Sequence, residues 1–384
     1  MSNNQQIDPP SVSSPRAASL GRRGAILGAI GMAAGMAAPA AFAAPAAGAA
    51  DAPAATPAAA GNPRRVDVHH HYVPPRYRSA LVAAGQAKPS GMPGIPQWSI
   101  EASLGMMDRN GIETAIISVV NGVHFGDDAA ARELSRHVNE EGAAVVSSNP
   151  RRFGLFATLP LPDVDGALKE IAHSLDVLKA DGFIMSSNYR GIYLGDARFE
   201  PVFAELNRRK ATVFLHPFDP HCPCCQVPGE MPAPGYPLPM LEFMFETTRT
   251  VFNMVLSGTM DKFPNVKFIV PHAGATVPVL AERVSAVASL LKLGQPQDAD
   301  HFRRTLRGLY YDLAGWPEPV AMGALLQVAD PAHIVYGSDW PYTPEPLGAG
   351  LARILDQSRQ LTPAMQKAFM RDNALALFPR LGQR

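Results

Sequence analysis

Histidines and one aspartate stand where short apolar runs of this chain end, and these residue types bind metal ions or move protons. His69 and His71 close the first run, VDVHHH; His216 ends ATVFLH, His272 ends VKFIVPH, and Asp339 ends HIVYGSD. Residues two apart on a strand point to the same side, so His69 and His71 are expected to share a face. Imidazole and carboxylate groups are ligands that zinc and similar divalent ions take. Together the five residues predict a metal site with a proton-carrying group.

Each of these features has a plainer explanation when it is taken singly. A lone His-x-His pair fits structural histidines as well as ligands, and Asp339 alone favours a helix cap. His70 is expected to point away from its two neighbours and to be structural. The recurrence of such residues at the ends of four of the apolar runs, the first, fifth, sixth and eighth, is what favours the metal site.

The elements that position these residues alternate regularly along the chain. Eight apolar runs are typical of strands buried on both faces: Val66–His71, Glu113–Val120, Phe153–Leu159, Asp181–Met185, Ala211–His216, Val266–His272, Gly308–Leu313 and His333–Asp339. Helical patterns cover Ser99–Asn110, Asp163–Ala180, Pro201–Lys210, Leu241–Lys262, Thr276–Leu293, Pro317–Ala329, Glu345–Gln357 and Thr362–Leu377. This alternation predicts an α/β fold, a (β/α)₈ TIM barrel forming a single catalytic domain over residues 65–384. In such a barrel the strand ends converge at one face.

The first sixty-odd residues have a different composition. The arginine pair Arg22-Arg23 precedes a weakly apolar run, Ala25–Ala37, and Ala41–Ala43 supplies the small residues of a cleavage site. This order predicts an export signal over residues 1–43, of the twin-arginine type, although an alanine stands where a bulky residue usually follows the pair. A membrane anchor is the alternative, but the run is short, so no stable span is expected after signal removal. Residues 44–64 are an Ala/Pro-rich linker. The protein is then periplasmic or otherwise exported, and cytoplasmic if there is no signal.

Composition excludes some functions. The 384 residues contain 34 lysines and arginines against 34 aspartates and glutamates, so no cationic surface for nucleic acid is expected. Hydrophobic residues make up 47% and charged residues 18%, which is enough for a large core. The three cysteines, Cys222, Cys224 and Cys225, lie beside His221. A second metal, a disulfide and a plain loop near the pocket mouth all stay open for this cluster.

Local strings in the chain resemble a known family. They are DVHHHYVPPRY at 67–77, FLHP at 214–217, FETTRT at 245–250, SGTMDKFPNVKFIVPHAG at 257–274 and YGSDWPYTP at 336–344. The chain from Val66 to about Phe378 resembles the amidohydrolase superfamily, in the branch of aminocarboxymuconate-semialdehyde and 6-methylsalicylate decarboxylases. Many members bridge two metals with a lysine at the end of strand four. Residues 181–187 contain no lysine, so the resemblance implies one metal.

The resemblance also implies a role for each candidate residue. His69, His71, His216 and Asp339 would hold one divalent ion, zinc by preference and manganese as the alternative. His272 would be the general acid/base, and Asp339 would also shuttle a proton.

Two further residues are expected to meet the substrate. Arg283 matches an arginine that reaches a neighbouring subunit's site, which would require a homodimer or a higher homo-oligomer; a solvated arginine on a barrel helix is the alternative. The aminocarboxymuconate enzyme has a second substrate-binding arginine between its first strand and the next helix. This chain departs from that pattern, since residues 91–100 contain no arginine. Trp98 lies there and is expected to wall a pocket for a small aromatic monocarboxylate.

The implied activity is decarboxylation of a small aromatic acid, similar to 6-methylsalicylate. A metal-dependent hydrolase of a lactone or amide is the alternative, because the same ligands can activate water. A metal-holding protein without catalysis is a third possibility, which no residue in the sequence favours.

Overall fold

The computed structural model describes residues 65–120, 122–221, 235–293 and 298–383. The predicted export signal, the linker and the three cysteines lie outside the described residues.

Eight parallel strands pair in chain order around a barrel. They are β1 (Arg65–His71), β2 (Ile112–Ser118), β3 (Phe153–Thr158), β4 (Gly182–Ser186), β5 (Thr212–His216), β6 (Lys267–Val270), β7 (Tyr310–Asp312) and β8 (Ile334–Val335). The barrel closes where the Val68 N–H donates to the Tyr336 carbonyl at 3.0 Å and the His71 N–H to the Trp340 carbonyl at 2.7 Å. The predicted fold is therefore confirmed. A small antiparallel hairpin, Asn188–Tyr189 with Ile192–Tyr193, follows β4.

Helices surround the barrel. They are α1 (Pro75–Ala83), α2 (Ile100–Arg109), α3 (Asp128–Ser148), α4 (Val164–Asp176), α5 (Glu200–Arg208), α6 (Glu242–Leu256), α7 (Thr259–Lys262), α8 (Val277–Leu291), α9 (Ala299–Gly308), α10 (Val320–Val328), α11 (Glu345–Asp356), α12 (Pro363–Lys367), α13 (Asn373–Leu377) and α14 (Pro379–Gly382). In the part of the chain that the structure describes, none of them is long and apolar enough to cross a membrane.

Three helical features differ from the expectation. The 21-residue helix α3 was not predicted, and it begins at Asp127, whose carboxylate accepts the Ala130 N–H at 2.7 Å. The predicted helix 241–262 is divided into α6 and α7 by Gly258, whose φ of 76° leaves the right-handed helix. The predicted helix 362–377 contains a π-helical turn between α12 and α13.

The barrel interior is filled and its amino end is closed. One apolar cluster joins inward residues of the strands to the C-terminal helices: Val66, Val68, Ile116, Phe156, Ile184, Phe214, Ile269, Val335, Ala374, Leu377, Phe378 and Leu381. Arg380 binds the Asp181 carboxylate at the start of β4, which holds the C-terminal segment over this end. A site inside the barrel therefore opens only toward the carboxyl ends of the strands.

Candidate metal and active site

A bulge in β1 turns its histidines into the barrel. Asp67 lies opposite Ala115 and His70 opposite Ile117, so β1 has one more residue than β2 over this stretch. Such a bulge reverses the alternation of side chains. The ring of His69 consequently packs against Phe214 in the interior, with 4.7 Å between ring centroids. His70 turns outward instead, where its Nε2 lies 2.8 Å from the Ser103 hydroxyl of α2.

Four donor atoms meet at the open end of the barrel. One atom from each of His69, His71, His216 and Asp339 lies within 4.8 Å of the others. Asp339 Oδ1 lies 3.3 Å from His69 Nε2 and 3.2 Å from His71 Nε2, and neither nitrogen makes a hydrogen bond to a described residue. Atoms bound to one zinc at about 2.0–2.1 Å in a tetrahedron would stand roughly 3.3 Å apart. The three nitrogens and one oxygen suit one divalent metal.

The opposite nitrogen of each ligand histidine is held by a neighbouring group. His69 Nδ1 donates to Asp312 at 2.8 Å, His71 Nδ1 lies 3.1 Å from the Ser118 hydroxyl, and His216 Nδ1 donates to the Pro217 carbonyl at 2.8 Å. A proton on Nδ1 leaves the lone pair of Nε2 directed at the donor cluster. These contacts orient the rings as metal ligation requires.

The charges of the site favour a cation. Burial lowers the pKa of His71 to about 4 and that of His216 well below its usual range. Both rings are therefore neutral, and each has a nitrogen lone pair that can bind a metal. Burial opposes ionisation of Asp339, but the neighbouring histidines, His69 first, hold its pKa well below normal. Burial would also lower the pKa of His69, but Asp312 and Asp339 outweigh it and raise the value to about 10. The buried carboxylate of Asp312 and the partly exposed carboxylate of Asp339 thus favour a positive charge beside His69, which a bound metal ion would supply.

His272 lies beside this cluster and is not one of its four members. Its Nε2 is 3.8 Å from Asp339 Oδ2, and its buried Nδ1 has no hydrogen-bond partner among the described residues. His272 begins a turn in which four successive residues, His272 to Ala275, have positive φ angles. Asp339 is also left-handed, with φ at 57°. Sparsely populated backbone conformations of this kind concentrate at functional sites.

A cavity of about 670 Å³ opens above the donor cluster. Its floor includes His216, His272 and Asp339, and its walls are mainly apolar: Met92, Val120, Met240, Phe243, Met244 and Trp316. Among the described lining residues there is no lysine or arginine. Tyr342 also lines the cavity, and its hydroxyl is buried without a hydrogen-bond partner in the described part of the chain. Apolar walls with a few convergent polar groups are typical of small-molecule sites.

The structure does not bring every predicted residue to the cavity. Trp98 is absent from the described lining, and its ring packs edge-on against Tyr72, with 5.8 Å between centroids. Trp98 is partly buried against the core, and Ser90 and Met92 border the cavity in this region, so Trp98 as a wall of the pocket stays a prediction. Arg283 is exposed on α8, away from the cavity of its own chain.

Asp312, Ser118 and Tyr342 were not singled out from the sequence. Asp312 and Ser118 each end a strand, as His216 does, and this shared position is the signal that was available for them. Tyr342 lies three residues after Asp339, and no pattern in the sequence separates it from an ordinary core tyrosine.

Comparison with known proteins identifies a family and relatives that this chain resembles. The family model described as amidohydrolase matches residues 66–380. Decarboxylase yanB of Aspergillus niger is 36% identical over 326 residues, which cover 82% of this chain and 88% of that protein. The 6-methylsalicylic acid decarboxylase of Penicillium expansum is 34% identical over 323 residues, which cover 83% and 97%.

Solved structures show the same fold. A crystal structure of an amidohydrolase II superposes with a TM-score of 0.76 at 33% identity and covers 82% of this chain and 99% of that one. A dihydroxybenzoic acid decarboxylase from a Polaromonas species, with bound manganese, has a TM-score of 0.65 at 20% identity and covers 82% and 96%.

Proposed function

Because the chain belongs to the amidohydrolase family, we propose that it is a metal-dependent decarboxylase of a small aromatic carboxylic acid of the 6-methylsalicylate type. One observation carries the proposal most directly. A cluster of three histidines and an aspartate lies under an apolar cavity, and a separate histidine, His272, lies beside the cluster in the cavity floor. This arrangement can hold an aromatic acid by its oxygens while a proton reaches the ring.

The roles proposed for the site residues follow from their places. His69, His71, His216 and Asp339 would hold the divalent ion, which neutralises charge on the substrate's oxygens and orients them when it is bound. His272 faces the cavity without contributing a ligand atom, and it would deliver a proton to the ring carbon that bears the carboxylate. The carbon–carbon bond to the carboxylate then breaks, its electron pair restores the aromatic ring, and carbon dioxide leaves. His272 regains its proton from solvent.

The cavity wall supports a monocarboxylate as the substrate. A second carboxylate placed against Met240, Phe243 or Met244 would lose water without gaining a cationic partner from the described lining. An alkyl-substituted ring would instead bury apolar surface there.

Zinc is the metal we propose, because three nitrogens and one carboxylate oxygen suit it. Manganese is the alternative, supported by the manganese in the related dihydroxybenzoic acid decarboxylase. Activity of metal-stripped protein reloaded with each ion in turn, at equal occupancy, decides between them.

We also propose a homodimer that forms through the outer face of α8. Val279 is 66% exposed and Leu290 is 79% exposed on this face, next to the exposed Arg283. In the dimer Arg283 would reach the partner's cavity and pair with the substrate's carboxylate. The mass in solution of Leu290→Asp should fall to that of a monomer. The control is Val177→Asp, at a 64% exposed site directly after α4, and this variant should keep the mass of wild type.

Residues 1–43 are proposed to be a twin-arginine-type signal that exports the domain formed by residues 65–384 to the periplasm, with residues 44–64 as a linker. The order of an arginine pair, an apolar run and small residues supports this proposal. The N-terminal sequence of the protein recovered from the periplasm, with and without Arg22→Lys and Arg23→Lys, tests it.

The function itself is tested by product chemistry. We expect the metal-loaded chain to release carbon dioxide from 6-methylsalicylate, and His272→Ala to lose about 10²–10⁴ in kcat while keeping its metal. A wild-type protein that binds metal, releases no carbon dioxide from any hydroxybenzoate and opens lactones or amides would be a hydrolase.

A further inference from the structure

We propose that Asp312 is a positioning residue that ties the metal ligand His69 and the proton carrier His272 to one carboxylate. Asp312 ends β7, which lies between β6, the strand before His272, and β8, the strand before Asp339. Its side chain is fully buried and lies outside the four-residue donor group. The part of this inference that concerns His272 rests on the proposed function. The part that concerns His69 depends on metal binding alone.

The first contact is made to the ring of His69. Asp312 Oδ2 accepts the proton of His69 Nδ1 at 2.8 Å, and both side chains are fully buried. Because the acceptor is a carboxylate, the proton is held on Nδ1, and Nε2 keeps a free lone pair with which it can bind a metal beside Asp339. Without this acceptor the His69 ring would be free to change its tautomer or to rotate.

The second contact is made to the backbone that carries His272. Asp312 Oδ1 accepts the His272 N–H at 2.9 Å and the Ala314 N–H at 2.9 Å. The turn that follows has φ angles of 58° at His272, 54° at Ala273 and 55° at Ala275. Residues other than glycine adopt such angles only when the surroundings impose them. Asp312 is one of the groups that impose this turn, and the turn sets where the His272 ring lies.

These contacts require a carboxylate, and an amide of the same shape cannot replace it. Three N–H groups converge on the two oxygens of Asp312: His69 Nδ1, His272 N and Ala314 N. An asparagine offers one oxygen, so its NH₂ group must face at least one of these donors. Asp312→Asn therefore keeps the volume of the side chain, loses at least one contact outright and leaves any remaining contact without the charge of a carboxylate, so both contacts are weakened.

Metal affinity tests the contact with His69, and its readout does not depend on activity. The metal affinity of the full chain would be measured by competition with a chromophoric chelator. We expect Asp312→Asn to bind zinc about 10–100-fold more weakly than wild type. The matched control is Glu170→Gln, which changes another buried carboxylate that accepts from Asn139 Nδ2 at 2.8 Å on the outer helix α4. An unchanged affinity in Asp312→Asn, or an equal loss in Glu170→Gln, would overturn the inference.

A double-mutant cycle in kcat, at saturating metal, tests the contact with His272. Asp312→Asn is expected to lower kcat by about 10-fold or more when His272 is present, and by less than about twofold in the His272→Ala background. Full recovery of kcat with excess metal, or an equal loss in both backgrounds, would refute this half. If Asp312→Asn lacks the wild-type circular dichroism spectrum, Asp312→Ser is measured in its place.

The two proposals fail in distinguishable ways. A wild-type enzyme that releases no carbon dioxide contradicts the proposed function, while the zinc affinities still decide whether Asp312 positions His69.

Discussion

Gly337 lies where the segment after β8 crosses β1, and replacing it with alanine should disturb the metal ligand His69. A Cβ added at Gly337 would stand 2.7 Å from the Cβ of His69 and 3.2 Å from Asp312 Cγ. Carbon atoms in contact are normally about 3.5–4.0 Å apart. The added methyl group is therefore about 1 Å too close to the backbone end of a ligand side chain.

The backbone on either side of Gly337 cannot easily move away. The Tyr336 carbonyl accepts the Val68 N–H at 3.0 Å, and the Asp339 N–H donates to the His69 carbonyl at 2.7 Å. The Ser338 N–H donates to buried Asp67 at 3.0 Å. Overpacking of this kind costs about 1–3 kcal/mol, of which the loss of glycine's freedom in the unfolded chain offsets about 0.4–1 kcal/mol. We expect Gly337→Ala to lose about 1–2 kcal/mol of unfolding free energy and to bind zinc more weakly.

Urea unfolding in the presence of a chelator measures the stability, and chelator competition measures the zinc affinity. Gly350→Ala is the matched control, because Gly350 lies in α11 with no atom within 4 Å of the added Cβ. That variant should be more stable by up to about 1 kcal/mol, since alanine favours a helix. If Gly337→Ala is also stabilised and binds zinc as wild type does, the close approach of residues 336–339 to β1 is wrong.

Three further predictions concern the metal, acid stability and the substrate. Removing the metal with a chelator should lower the wild-type unfolding free energy, by about 2.7 kcal/mol for an ion previously at 100 times its Kd, and the thermal midpoint of His216→Ala should not respond to the chelator. The ion pair with Arg132, opposed by burial, holds the pKa of Asp163 below its usual range, so Asp163 stabilises the fold above its unfolded pKa and this contribution is lost as the pH falls through the folded value. Urea unfolding should therefore show Asp163→Asn less stable than wild type at pH 7, with the difference closing below about pH 4. Tyr342→Phe should raise KM for 6-methylsalicylate about 10-fold, because Tyr342 lines the cavity and the substrate would supply the partner that its hydroxyl lacks among the described residues, while zinc affinity stays the same; an unchanged KM would show that this hydroxyl does not bind the substrate.

The strands could be predicted from the sequence because each is a continuous apolar run, and every predicted run overlaps an observed strand. Their ends were less predictable. The last run was expected to extend over residues 333–339, but β8 is only Ile334–Val335, because the chain after it pairs with β1 only through isolated bridges at Tyr336 and Trp340 and turns left-handed at Asp339. The strand order that brings the five site residues to one face follows from the parallel alternation alone.

The helix α3 was missed for a reason that lies in its packing. Gly142 interrupts its helical pattern, and glycine in a helix weakens the sequence signal. In the structure a Cβ at Gly142 would stand 2.7 Å from both Leu155 Cδ1 and the Tyr72 hydroxyl. Glycine is required here because Tyr72, directly after β1, and Leu155 in β3 leave no room for a side chain. Neither residue belongs to the helix, so the helical pattern gives no sign of them.

The sequence by itself determined the barrel and the candidate donors, since both depend on local spacing: the alternation of apolar runs with helical patterns, and a histidine or aspartate at the end of four of the eight runs. Only the tertiary structure decided which other groups act on them. Asp312 contacts His69 across 243 positions of the chain, Trp98 packs against the core, and the walls at Met240 and Phe243 come from the segment after β5. Hydrogen bonding and burial are set by neighbours in space, and the closure of the barrel brings those neighbours together.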